Sequence, residues 1–514
     1  MTRFSLAALV AVALCACGGS PSSDAQQTVS TPTPDAGPKA SPPSISAFSA
    51  SPSQLPVGGG AVTLQWTVEG ATQVTIDQSV GDVTGKSSAS TSVSGPTTFT
   101  LTATNADGAV TQIASVSVAQ ALTVSGKVID AVGKPTASAT VVIGALPAVV
   151  TDADGHFSIS GVAPPFDATV VGPNQQSVVV YQGLTAPSLT LTLLATSKNL
   201  SSANLYGSVS GGTAPYTSSS APFVAFSSSE VSATGLTTAT SGAFTFNVSW
   251  ANTGSTTGTL FALQPERDGN GVAIEWRAFG RKDDVTLNAG ASLSGLAVPM
   301  NPVSSSTLTG SVNLPSAYTV SEEDAFLELD PAGTLMLMRS ASGSTAFGFN
   351  VPIIPQSSYA IVAAAHPQSR SNIAESLAVV TGLTPGNNAI NLTVPPVPNL
   401  ATPVDQANAV DSNNLFVWSG VGVGGVYDLR AVKDDGGTPL QFDIITTATQ
   451  THLPDLSALG LTLPGATDFY WQVYGLSPFT DINDVASSDK MGALFALRRS
   501  GSIAESDYRE FTTR

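Results

Sequence analysis

Few residues in this sequence combine a reactive type with a spacing that chemistry would need. The three histidines, His156, His366 and His452, lie far apart, each beside a turn or a proline, with no second ligand at metal-binding spacing. They are expected at turns or on the surface. Gly420-Val421-Gly422-Val423-Gly424-Gly425 satisfies G-x-G-x-x-G, but that motif cradles a pyrophosphate only when a helix N-terminus follows it. Here Val426-Tyr427-Asp428-Leu429 follows with the pattern of a strand, so an interstrand turn is expected. Ser487-Ser488-Asp489-Lys490 matches S-x-x-K without the S-D-N and K-T-G partners that give the match meaning. Asp152-Ala153-Asp154-Gly155 and Asp268-Gly269-Asn270-Gly271 offer oxygen ligands, yet neither has the full calcium-loop spacing or a closing Glu. Glu322-Glu323-Asp324 cannot act as a glycosidase pair, because adjacent residues of a strand point to opposite faces; a solvated loop is expected. Trp250, Trp276 and Trp471 are candidates for stacking on sugars, although Ile274 and Trp276 alternate as a core strand would. The expectation is therefore no catalytic residue, no metal site and no cofactor.

The two cysteines, Cys15 and Cys17, carry a clearer signal. Arg3 opens a short basic region, Leu6 to Leu14 is apolar, and Gly18-Gly19-Ser20-Pro21-Ser22-Ser23-Asp24 is polar, which is the layout of an export signal. The apolar run is too short to remain as a spanning helix. Leu14-Cys15-Ala16-Cys17 resembles the bacterial lipobox, with Leu three places before the acylated cysteine and a small residue just before it. Cys15 is an unusual occupant of the middle position, and as acceptor it would have bulky Leu14 before it. The resemblance therefore implies lipid attachment at Cys17. More than one acyl chain would anchor the protein stably, at ~0.8 kcal/mol per buried methylene. The resemblance to sorted lipoproteins, with Gly18 rather than Asp after Cys17, implies the outer membrane in a Gram-negative cell, with the chain facing either the periplasm or the exterior. An ordinary secretory cut at Ala11-Val12-Ala13 is the alternative.

Composition constrains the chain beyond the leader. Once cleaved at Cys17, the chain retains no thiol for an intrachain disulfide, so its modules must rest on hydrophobic cores. Charged residues are 11% of the sequence, and the formal net charge of -17 becomes -18 when Arg3 leaves with the leader. An acidic, Lys-poor surface disfavours nucleic acid and anionic headgroups as partners. Membrane contact is expected only through the anchor.

Residues 17–43 are Ser-, Pro- and Thr-rich and lack the apolar residues of a core, so they read as a disordered tether. Beyond them the pattern is all-β. In 44–119, alternating Val62-Thr63-Leu64-Gln65-Trp66-Thr67-Val68 and Phe99-Thr100-Leu101-Thr102-Ala103, parted by turns such as Gly58-Gly59-Gly60, resemble an immunoglobulin-like module with Trp66 in its core.

The next stretch repeats itself. Ser125-Gly126-Lys127-Val128, Tyr206-Gly207-Ser208-Val209 and Thr309-Gly310-Ser311-Val312 share x-Gly-x-Val. A second phrase places Phe157 31 residues after Gly126, and Phe244 and Phe347 37 residues after Gly207 and Gly310. Such self-similarity predicts tandem units of one fold over 120–196, 197–303 and 304–398. The first unit, with Gly133-Lys134-Pro135, Ala139-Thr140-Val141 and Thr151-Asp152-Ala153-Asp154-Gly155-His156-Phe157, resembles the carboxypeptidase-regulatory-like (transthyretin-like, prealbumin-like) sandwich. Residues 399–514, with Phe416-Val417-Trp418-Ser419 and Phe469-Tyr470-Trp471-Gln472-Val473-Tyr474, resemble a fibronectin-III-like module. Asp481 to Arg499 reads as an insertion with a short helix around Ala493 to Arg498.

The expected architecture is thus a leader (1–16), a tether (17–43) and tandem β-sandwiches. The expected function is that of a non-enzymatic envelope lipoprotein, a surface scaffold or adhesion stalk whose ligand is a protein or a polysaccharide. Carbohydrate binding is the alternative, and an enzyme with an unrecognised site the third.

Overall fold

The computed structural model describes residues 41–194, 200–228, 232–238, 240–251, 254–329, 333–340, 343–369, 374–420, 425–433 and 440–514. The leader, Cys17, most of the tether and Val421 to Gly424 lie outside the described residues. The all-β expectation holds: among the described residues, strands are interrupted only by a 3-10 turn at Ser457–Leu459 and two short helices, α1 (Ile482–Val485) and α2 (Lys490–Phe495). The chain forms two compact units, Met1–Val118 and Ala119–Arg514.

In the first unit, strands Ser44–Ser51, Gly60–Glu69 and Ser88–Val93 make one sheet. Strands Gln54–Leu55, Gly108–Val118, Thr97–Asn105, Gln73–Ile76 and Gly81–Asp82 make the other. Alternate residues Val62, Leu64 and Trp66 point inward to meet Phe99, Leu101 and Val116, as the period of two requires. Trp66 is core, and its indole N–H donates to the Lys86 carbonyl at 2.9 Å.

The second unit explains the repeated phrases. In each repeat the x-Gly-x-Val strand lies centrally, with an antiparallel strand on one side and a parallel strand on the other. The glycine sits directly opposite the repeated phenylalanine: Gly126 opposite Phe157, Gly207 opposite Phe244, Gly310 opposite Phe347. On the other side it meets the closing strand at Leu189, Leu296 and Ile390, and a Cβ would run into the carbonyl oxygens of those residues. Only glycine fits, and in the second and third repeats the phenylalanine ring covers the space it leaves.

The repeats are not isolated beads. A 14-stranded sheet passes through three of the sequence stretches. It begins with strands from 120–194, of which Ser177–Leu184 pairs in parallel with Gln441–Thr446. It continues through Val426–Lys433, Asp468–Ser477 and Gly501–Glu505, the last of which pairs antiparallel with Glu375–Leu383. It ends with Ser358–Pro367, Tyr318–Leu329 and Gly333–Ser340. The C-terminal stretch therefore lies in the middle of the sheet. Both faces of its strands are covered: Val426, Ile445 and Tyr474 join the core around Phe157 and Leu191, while Tyr427, Leu429 and Ile444 join that around Phe416 and Trp471. Residues 200–302 form a seven-stranded sheet whose ends meet at a bridge between Thr237 and Phe244 around Phe226, Trp250 and Leu260. Its outer residues Phe223, Phe261 and Trp276 join the core of the 304–394 stretch.

Because Gly310 is pinched between Phe347 and Ile390, Gly310→Ala should cost about 1–3 kcal/mol. Gly343→Ala, which meets open space, should leave the melting temperature unchanged. Thermal unfolding of the two variants checks this; equal melting temperatures would sink the explanation of the repeat.

Candidate functional site

The residues singled out by type and spacing are not brought together. His156 is exposed beside Asp152, His366 Nδ1 lies 3.2 Å from the Pro367 carbonyl, and His452 Nδ1 lies 3.2 Å from that of Asn414. Asp152 spends its carboxylate on the backbone N–H groups of Asp154 (3.0 Å) and His156 (2.8 Å), with Gly155 at φ 76°. Asp268 does the same with Asn270 and Val272, both at 2.9 Å. Both are turns held by an aspartate. Among the described residues no three His, Cys, Asp or Glu lie close enough to hold a metal ion. Ser487 donates to the Asp484 carbonyl at 2.9 Å, and Lys490 pairs with the Asp484 carboxylate, so the S-x-x-K residues face the α1–α2 turn. Gly420 and Gly425 flank a connection between strands Leu415–Ser419 and Val426–Lys433.

Two expectations are corrected. Glu322-Glu323-Asp324 is not a solvated loop but the middle of strand Tyr318–Leu329. Glu323 is fully buried, while Asp324 accepts from Arg339 Nε at 3.0 Å and Nη2 at 3.1 Å, and Glu322 lies 3.2 Å from the same guanidinium. The Arg339 guanidinium on the neighbouring strand makes burial of Asp324 tolerable. Nor do Ile274 and Trp276 share a face: register shifts on either side of Glu275 leave Ile274 53% exposed and Trp276 1% exposed. Trp250 and Trp471 are likewise in cores. None of the three offers a face to a sugar.

The densest polar cluster was missed by reasoning from motifs. Arg430 stands opposite Asp443 on one neighbouring strand and Gln472 on the other, and Asp428 stands opposite Tyr474. Opposed residues share a face, so these side chains meet. Arg430 Nε donates to Asp443 at 2.7 Å and Nη2 to Asp428 at 3.3 Å, and its guanidinium carbon lies 4.8 Å from the Tyr474 ring centre. Gln441 donates to the second Asp443 oxygen at 2.7 Å. Phe495 of α2, 5.9 Å from the guanidinium, helps to roof the cluster, and the row extends through Glu505 to Glu375. Asp428 and Asp443 are 0% exposed. The available signal was a charge at alternate positions of an otherwise apolar strand, in Val426-Tyr427-Asp428-Leu429-Arg430-Ala431.

Burial raises the Asp428 pKa well above the ordinary carboxylate range; the Asp443 charge adds to the rise and Arg430 opposes it. The second Asp428 oxygen, Oδ1, has no hydrogen-bond partner among the described residues. Burial alone would lower the Arg430 pKa, but the two carboxylates outweigh it and raise it. Burial also raises Glu505. Enclosed in this way, the cluster can clamp strands together; it leaves a substrate no access to its carboxylates.

No family model matches the chain, and no curated protein does. Among solved structures, the TIE protein of Bacillus anthracis overlaps 68% of this chain and 74% of its own at 10% identity and a TM-score of 0.17. The shaft pilin SpaA of Lactobacillus rhamnosus GG overlaps 38% and 97% at 11% identity and a TM-score of 0.13. BcpA, the major pilin subunit of Bacillus cereus, overlaps 53% and 98% at 8% identity and a TM-score of 0.12. Likeness this slight assigns neither family nor function.

A carboxyl whose pKa is raised by folding stabilises the fold fully below its unfolded value, near 3.9, and that contribution is lost as pH rises through the folded value. Asp428→Asn should therefore flatten the fall in melting temperature between pH 5 and pH 8 and be at least as stable as the parent at pH 8. Arg430→Met, which strands two buried carboxylates, should cost about 3–5 kcal/mol at pH 8. An Asp428→Asn protein less stable than the parent at pH 8 would contradict this reading.

Proposed function

We propose that the chain is a lipid-anchored protein of the cell envelope, held in the outer membrane through Cys17, whose folded part is a non-enzymatic scaffold or adhesion stalk. The observation that carries the mechanical half of this reading is the insertion of the C-terminal strands into the middle of a sheet begun by residues 120–194 and ended by residues 304–383. Tension applied to one stretch is shared with strands distant in sequence. The anchoring half rests on Leu14-Cys15-Ala16-Cys17 and the tether after it. No helix among the described residues is long and apolar enough to cross a membrane.

The folded part meets its partner, a protein or a polysaccharide, at a distance set by the tether. The reach of the tether lies between about 5–6 Å × √n for a coil of n residues and a stiffer limit near 3.1 Å per residue for Pro-rich chain. A carbohydrate-binding reading loses its three tryptophans to the cores.

Metabolic labelling with a palmitate analogue tests the anchor. The parent should label and fractionate with membranes, and Cys17→Ser should do neither. A Cys17→Ser protein that still labels and still pellets with membranes would end the proposal.

A further inference from the structure

A cavity of about 260 Å³ opens beside the parallel pair of strands Ser177–Leu184 and Gln441–Thr446. Its floor is Val178 and Phe442, which oppose each other across that pair and belong to one core. Its wall is the segment from Pro454 to Leu463, whose Leu456, Leu461 and Leu463 are half-buried against the same core. Two carboxylates, Asp411 and Asp455, lie among the lining residues, and among the described residues no lysine or arginine lines it. The backbone N–H of Ser457, donating at 3.0 Å, holds the Asp455 carboxyl below the usual range, so it is ionised at neutral pH. Asp411 accepts from the Asn413 N–H at 2.8 Å, and Arg514, 80% exposed, comes only within 3.8 Å of it.

We propose that this cavity binds a small organic cation, an apolar ring or short alkyl body carrying an ammonium group. Size sets the body: a cavity of ~150 Å³ holds a benzene ring, so about 260 Å³ accommodates a ring with a short side chain. Charge sets the head. The apolar body lies over Val178 and Phe442 and displaces water from the leucines, while the ammonium remains among the carboxylates, where a protein of net charge -17 already concentrates cations. An anion of the same shape would meet two carboxylates, offset by one exposed guanidinium, that of Arg514. Because the floor takes one residue from each of two stretches far apart in sequence, the site exists only when those strands are paired.

The test is calorimetric titration of the full chain carrying Cys17→Ser with phenethylamine, and with phenylacetate as the anion of matched shape. Saturable phenethylamine binding at least tenfold tighter than that of phenylacetate is expected. Asp411→Asn with Asp455→Asn should weaken phenethylamine about tenfold, and Leu461→Trp, which fills the cavity, should abolish binding. Thermal unfolding of each variant shows whether it is folded; should Leu461→Trp fail to fold, the exposed double variant decides. No saturable heat, equal affinity for amine and acid, or binding untouched by the double variant would overturn the proposal.

Discussion

The second unit depends on two strand pairings between segments far apart in the chain. Ser177–Leu184 accepts Gln441–Thr446 alongside it, and Glu375–Leu383 accepts Gly501–Glu505. Each is a sheet edge that would otherwise expose a row of unpaired N–H and carbonyl groups, a template for association with other chains. Between them the C-terminal strands fill the gap, so the ladder of backbone hydrogen bonds runs unbroken from residues of the first repeat to those of the third. Order along the chain is not order across the sheet.

Burial on both faces limits where charge can sit in the central strands. A strand with one wet face alternates apolar and polar residues; a strand covered on both faces has no position where charge is free of cost. Where charge does enter the central strands, it comes as a set: Arg430 with Asp428 and Asp443, in reach of Tyr474 and Gln441. Such a set adds little net stability compared with apolar residues of equal volume, but each member needs the others. It ties Val426–Lys433 to Gln441–Thr446, the strand that makes the parallel seam.

Much of this was legible in the sequence. Alternation gave the strands of the first unit, and Trp66 is in the core as its pattern required. The repeated Gly and Phe phrases marked the central strand and its antiparallel partner, since a glycine forced by a crossing carbonyl and a phenylalanine opposite it recur together. The shared sheet was not read, although its signal was present. Val178-Val179-Val180-Tyr181 and Phe442-Asp443-Ile444-Ile445 break the alternation of a one-sided strand, and in both runs successive residues serve two cores. Periodicity shows that a strand is covered twice but not by what, because the covering strands come from segments hundreds of residues away. The buried acids were missed for a related reason: Glu322-Glu323-Asp324 looks like a loop until Arg339 is placed on the neighbouring strand. A bulge, as at Ile274, is invisible to any strict period of two.

The most direct measurement is a cross-link across the parallel seam. Ser177 and Gln441 are opposed there, and neighbouring strands about 4.8 Å apart lie within the ~4.4–6.8 Å that a disulfide spans between Cα atoms. The natural cysteines are confined to Cys15 and Cys17, so in a background with both Cys15→Ser and Cys17→Ser, Ser177→Cys with Gln441→Cys introduces an isolated pair. Mild oxidation should convert the chain to a single intramolecular disulfide, seen as faster electrophoretic migration that a reductant reverses. Two thiols that remain free, or that link only different chains, would show that the C-terminal stretch does not lie in the middle of this sheet.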